Sequence, residues 1–303
     1  GDDSLNSGEV QLDYDNDGSV STTTSGISLD AGANTTVTLS VEVPAEPFAG
    51  TFERGLTVKT DDSDLTAETD DSANRTVEVD FRDIQSGIDA AATRNADTVT
   101  VAPDFRQPRT EIVVDEPDLT IERAAGATRP VIESPTNADD DVAVRVESSG
   151  VELNGLGLRG DGTGGPGLVI EDGATTLFDL TISQWTTGIR VTGGSDHDIR
   201  RVRVIDTDTG IRLGGTGSSE VRSVLIADAA NTGIHVESED NELNGLTLRN
   251  PEAAEGIRLE ANDTDITQAI IRGSRTGILA EGLREDSSDP TARIETTNLI
   301  GLN

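Results

Sequence analysis

The 303-residue sequence predicts an all-β chain: a parallel β-helix of about nine coils, preceded by a small β-sandwich. Two observations carry the first part and one the second. A glycine-led motif recurs about every 22 residues, a short amphipathic stretch stands just ahead of the repeats, and residues 9–81 alternate with period two between polar turns.

The repeat begins with "GLVI" at Gly167 and continues with "GIRV" at Gly188, "GIRL" at Gly210, "GIHV" at Gly233, "GIRL" at Gly256 and "GILA" at Gly277. Between these runs a second element is apolar at its first, fourth and sixth places: "LNGLGL" from Leu153, "LFDLTI" from Leu177, "IRRVRV" from Ile199, "VRSVLI" from Val221, "LNGLTL" from Leu243 and "ITQAII" from Ile266. A unit this short cannot bury its apolar face alone, so it must stack on copies of itself. Coils stacked at about 4.8 Å would place Ile189, Ile211, Ile234, Ile257 and Ile278 in one inward ladder, and Val191, Val202 and Val204 in others.

Ahead of the repeats, Ile84, Ile88, Ala91 and Ala92 fall at helical spacing, followed by an alternating strand near Thr98. A helix over 83–94 would cover the open apolar top of the stack and its bare strand edge. The stretch "DIQSGIDAAATRNADTVTVAPDF" resembles the entry of the NosD/pectate-lyase-like β-helix family. That resemblance spans roughly 83–303 and implies a right-handed coil. It implies little about activity, because the family includes lyases, hydrolases, epimerases and non-catalytic surface proteins.

Residues 1–82 form the expected first domain, with period-two runs "GISLD", "TTVTLSVEVP", "FERGLTVKTDD" and "RTVEVDF". The order of these runs is similar to immunoglobulin-like modules of the Hydin and CARDB kind. Such modules carry more chain ahead of the matching part, so the opening strands are expected to be missing. A sandwich without them would expose sheet edges that recruit a strand from another copy, giving head-to-tail self-association.

Acidic residues outnumber basic ones 57 to 23, and Lys59 is the only lysine, for a net charge of −34. The excess coats the whole chain, which resembles proteins of extreme halophiles, where salt screens dense carboxylates. It argues against a nucleic-acid partner, and no stretch is apolar enough for membrane insertion. With neither Cys nor Met, disulfides play no part. Asn34, Asn74 and Asn262 each begin an N-glycosylation sequon, which places the protein outside the cell or on its surface.

Four groups of residues could carry chemistry. "DYDNDGS" sets Asp13, Asp15 and Asp17 at the spacing of a calcium loop, but Thr24 holds the twelfth place where a bidentate Glu would close it, leaving an acidic turn as the other reading. Gln184, Asp206, Asp228 and Asn250 recur after the second element. Stacked carboxylates there could bind calcium or act as an acid and base on a glycan, and the same residue types favour coil corners. Arg145, Arg190, Arg212, His235 and Arg258 share the third place of the glycine motif; most have an acid two residues on, whereas Arg190 and Arg212 do not and would suit an anion such as a uronate. Finally, Asp196, His197 and Asp198 are expected in a solvated turn. One Trp (Trp185), one Tyr (Tyr14) and five Phe offer few platforms for sugar rings. The expectation is a non-catalytic filament, adhesion or envelope subunit. A lyase, hydrolase or epimerase of an acidic surface glycan, and a viral fibre or spike, are the alternatives.

Overall fold

The computed structural model describes residues 84–94, 98–101, 110–134, 142–215, 217–250, 255–281, 292–295 and 297–300, together with the backbone of five strands within 5–79. The chain divides into two compact units, Gly1–Phe81 and Arg82–Asn303. In the first, a three-stranded antiparallel sheet places Leu5–Leu12 between Thr22–Leu29 and Leu56–Thr60, and Gly50–Arg54 pairs antiparallel with Arg75–Val79. The strand Leu5–Leu12, ahead of "GISLD", is the central one of the larger sheet. The run "TTVTLSVEVP" and the aspartates Asp13, Asp15 and Asp17 lie outside the described residues, as do Asn34 and Asn74.

The second unit is a right-handed parallel β-helix with three faces. Nine strands form the first face, from Thr98–Val101 through His197–Arg200 to Ala292–Glu295. The second and third faces carry eight rungs each, so among the described residues seven coils have all three faces and a partial coil stands at either end. In the middle coils a single strand turns the corner between the second and third faces: Thr181–Val191, Arg203–Leu213 and Leu225–Val236.

The register explains the repeat. On the third face, Ile189, Ile211, Ile234, Ile257 and Ile278 pair in order. The first four are fully enclosed and Ile278, at the end of the stack, is half-buried against the same core. The first, fourth and sixth places of the second element are buried in all six copies. Its third place is the corner between the first and second faces, and Gly155, Asp179, Arg201, Ser223, Gly245 and Gln268 all take left-handed backbone there. Arg201 is therefore a corner residue.

The glycines that lead the motif have a different cause. Gly188, Gly210, Gly233 and Gly256 lack left-handed backbone, but a Cβ on any of them would come within 2.5 to 2.6 Å of the carbonyl oxygen of the next glycine in the column. The motif records how closely successive coils approach.

The helix Ile84–Arg94 packs Ile84, Ile88 and Ala91 on the first coil, while Ala92 is exposed. It closes the strand edge as well as the core. Val113 N–H donates to Gln85 Oε1 at 2.8 Å, and Gln85 Nε2 donates to Val113 O at 3.1 Å. The side-chain amide thus satisfies both backbone groups that a preceding rung would have paired.

Candidate functional site

Outward side chains on a parallel stack meet the same position of the next coil, so their partners lie about one repeat away in sequence. This decides the fate of the basic column. Arg145, Arg190, Arg212, His235 and Arg258 occupy one outward row, interrupted by Val169 between the first two. Arg145 reaches Glu111 at 2.7 Å and Glu171 in the following coil, and Arg258 reaches Glu260 at 2.6 Å and Glu281 at 2.9 Å. Arg212, expected to be unpaired, holds Glu237 of the next coil with two hydrogen bonds of 2.8 Å. The partner stands one rung up and not two residues along the strand, where Gly214 lies. The hydrogen bonds to Glu237 push the Arg212 guanidinium above its ordinary pKa. Arg190 is exposed and has no ion pair or hydrogen bond among the described residues.

His235 differs from the arginines around it. Its Nε2 lies 3.2 Å from Glu260 and 3.6 Å from Glu237, and that atom is closed off from solvent.

The corner column separates into two kinds of residue. Gln184, Asp206 and Asp228 are exposed with left-handed backbone (φ 61, 54 and 57), as short polar side chains at a tight bend allow. Asn250 instead turns inward: it is fully buried, and its Oδ1 accepts a hydrogen bond of 3.2 Å from the Ala229 N–H. The column therefore does not present four polar groups to one ligand.

On the first face, Asp198, Glu220, Glu242 and Asp265 stack on successive rungs. Arg200 and Arg222 offset part of this row, lying 3.3 and 3.4 Å from Asp198, with Arg222 also 2.8 Å from Glu220. Arg200 and Arg201 both stand over the Phe178 ring, at 5.1 and 5.2 Å from its centre.

His197 corrects the expectation of a solvated turn. It opens the strand His197–Arg200 and faces inward, 1 % exposed, within a buried file of polar residues from successive coils: Thr175, His197, Ser219, Asn241 and Thr264. Its Nε2–H donates to the Gly193 carbonyl at 3.0 Å, while Nδ1 is enclosed with no partner. That is the arrangement of a neutral imidazole, and burial pushes its pKa down against the weaker pull of the Gly193 carbonyl and Asp196. The signal was present in the sequence, since residue 197 shares the parity of inward Ile199. Asp196 is exposed and Asp198 half-buried on the outer face. Asn262 lies in the turn before Thr264–Thr267.

Residues 143–288 match the family described as "Right handed beta helix region". A search of curated proteins finds no match. Among solved structures the chain is similar to an alginate lyase from Paenibacillus sp. str. FPU-7, with 16% identity, 67% of this chain and 76% of the lyase chain covered, and a TM-score of 0.39. It is also similar to ORF18 of Geobacillus virus E2, with 11% identity, 67% and 51% coverage, and a TM-score of 0.25.

Proposed function

We propose that this chain is a non-catalytic structural protein of the cell exterior of a halophile, a filament, adhesion or envelope subunit with the β-helix as its stem. The observation that supports this reading is where the outward charges go. Arg145 with Glu171, Arg159 with Glu133, Arg212 with Glu237, Arg222 with Asp198 and Arg258 with Glu281 each tie one coil to its neighbour. Single exposed pairs contribute about 0–1 kcal/mol, but a row of them along the stack favours one register. Side chains engaged between coils are not gathered around a substrate. Asp206 and Asp228, at exposed bends, suit corners better than an acid and base pair.

The NosD-type kinship, the immunoglobulin-like character of residues 1–82 and the halophilic origin belong to the same reading. So do glycans at Asn34, Asn74 and Asn262, calcium at Asp13, Asp15 and Asp17, and head-to-tail association through the first unit. Electron micrographs of the protein in molar salt should show end-to-end particles. Monomers alone, by micrograph and light scattering, would overturn the assembly.

One observation favours the second reading, an enzyme acting on an acidic glycan. Arg190 is an exposed cation without a partner among the described residues, on the same strand as the exposed corner residue Gln184. Turnover of pectate, alginate or an acidic exopolysaccharide that Arg190→Ala abolishes would replace the structural reading with this one.

A further inference from the structure

We propose that His235, Glu237 and Glu260 form a site for one divalent metal ion of the zinc class on the outer side of the third face. The inference rests on the geometry of that face and is independent of the proposed function. His235 and Glu237 are two residues apart on one strand and therefore point the same way. Val236 pairs with Leu259, which puts Glu260 directly above Glu237 on the next rung. Three donors from two strands converge without any loop having to fold over them.

Their separations fit. His235 Nε2 is 3.2 Å from Glu260 and 3.6 Å from Glu237, and the three donor atoms all lie within 4.8 Å of one another. A tetrahedral ion with bonds of about 2.0–2.1 Å holds its donors about 3.3–3.4 Å apart. Two edges of the triangle already bracket that value, and rotation of the Glu260 carboxylate, which lies at the surface, can close the third.

The placement of the imidazole points the same way. Nε2 is shut away from solvent and has two carboxylates beside it. Arg212 clamps Glu237 with two hydrogen bonds, as hydrogen-bonded outer partners fix metal ligands. Around the triad four carboxylates, Glu237, Glu255, Glu260 and Glu281, face two guanidiniums, Arg212 and Arg258, and this excess of two carboxylates suits one divalent ion. An imidazole donor selects zinc, cobalt or nickel over calcium and magnesium, which prefer all-oxygen shells. The remaining coordination position would go to water.

The test is a titration of the full chain with Co²⁺, then Zn²⁺, in 2 M KCl, so that salt screens the other carboxylates. The chain has only two histidines, so imidazole NMR reports the site directly. The expected result is one saturating equivalent, a visible Co²⁺ spectrum of low coordination number, and a response confined to His235, with His197 unmoved. His235→Gln and Glu260→Gln should each weaken binding at least about tenfold, while Glu239→Gln, a nearby exposed acid, should not. Trp185 emission checks that each variant is folded. The proposal is overturned if binding never saturates, if His235→Gln binds as well as the parent, or if the His235 resonances ignore both metals, which is the behaviour of an ion pair only.

Discussion

Gly233→Ala would place one methyl group where successive coils come closest. Its Cβ would lie 2.5 Å from the Gly256 carbonyl oxygen, 2.6 Å from Leu248 Cδ2 and 2.8 Å from Asn250 Nδ2. Ordinary contact begins at 3.4 Å, so this rung must open by 3.4 − 2.5 = 0.9 Å, against a coil spacing of about 4.8 Å. Overpacking a tight site costs about 1–3 kcal/mol, and each ladder hydrogen bond weakened as Thr232 to Val236 draws away from Glu255 to Leu259 adds about 1 kcal/mol. The expected loss is about 3–5 kcal/mol. Gly126→Ala is the control, because Gly126 has left-handed backbone (φ 73) but nothing within 4 Å of its Cβ, so it should cost about 1–2 kcal/mol from conformation alone. Urea unfolding in molar KCl, followed through Trp185, the single tryptophan and 1 % exposed, measures both. If Gly233→Ala costs no more than Gly126→Ala, close approach is not why the motif begins with glycine.

The pKa of His197 is lowered in the folded state, so the unfolded chain takes up a proton first as pH falls. The stability this neutral ring allows is complete above its unfolded pKa of about 6.5 and is lost as pH drops from there toward the folded value. His197→Ser should flatten that part of a pH-stability profile, and an unchanged slope would contradict the assignment. Arg212→Ala should cost less than about 1 kcal/mol, and less still in molar salt, because the pair is partly exposed; a cost of several kcal/mol by urea titration would make the coil-to-coil pairs a principal source of stability. Asp228→Gly should be neutral or stabilising and Asp228→Val destabilising by about 1–2 kcal/mol, since the position is left-handed, and thermal melting ranks the three. Deletion of residues 188–209, one whole repeat, should leave a folded stem one coil shorter, whereas circular dichroism of an unfolded chain would show that the coils are not interchangeable.

The coil was legible because burial in a stacked repeat imposes the same residue type at the same place many times, so Ile211 and its neighbours announce one another. The polar groups were harder to read, because one polar residue type serves opposite roles. Asp206 and Asn250 follow the same pattern, yet one caps an exposed bend and the other satisfies a buried N–H. Polarity points His197 to a turn, whereas its parity with Ile199 places it inside. Charge partners are hidden in the sequence for a third reason: Glu237 is 25 residues from Arg212 in the chain but next to it in space. Gln85 reads as an ordinary helix residue, and only the position of the helix over Val113 reveals that its amide closes a strand edge.

The direction of the ladder bonds has a mechanical consequence. Strands run across the stem and their hydrogen bonds run along it, so compression is met by the packed core, while axial tension falls on the bonds themselves. Within a coil those bonds share the load, but the coils act in series, and the stem parts at its weakest interface however strong the others are. A stem under tension therefore gains nothing from one exceptional coil, and its breaking force is that of the interface with the weakest ladder.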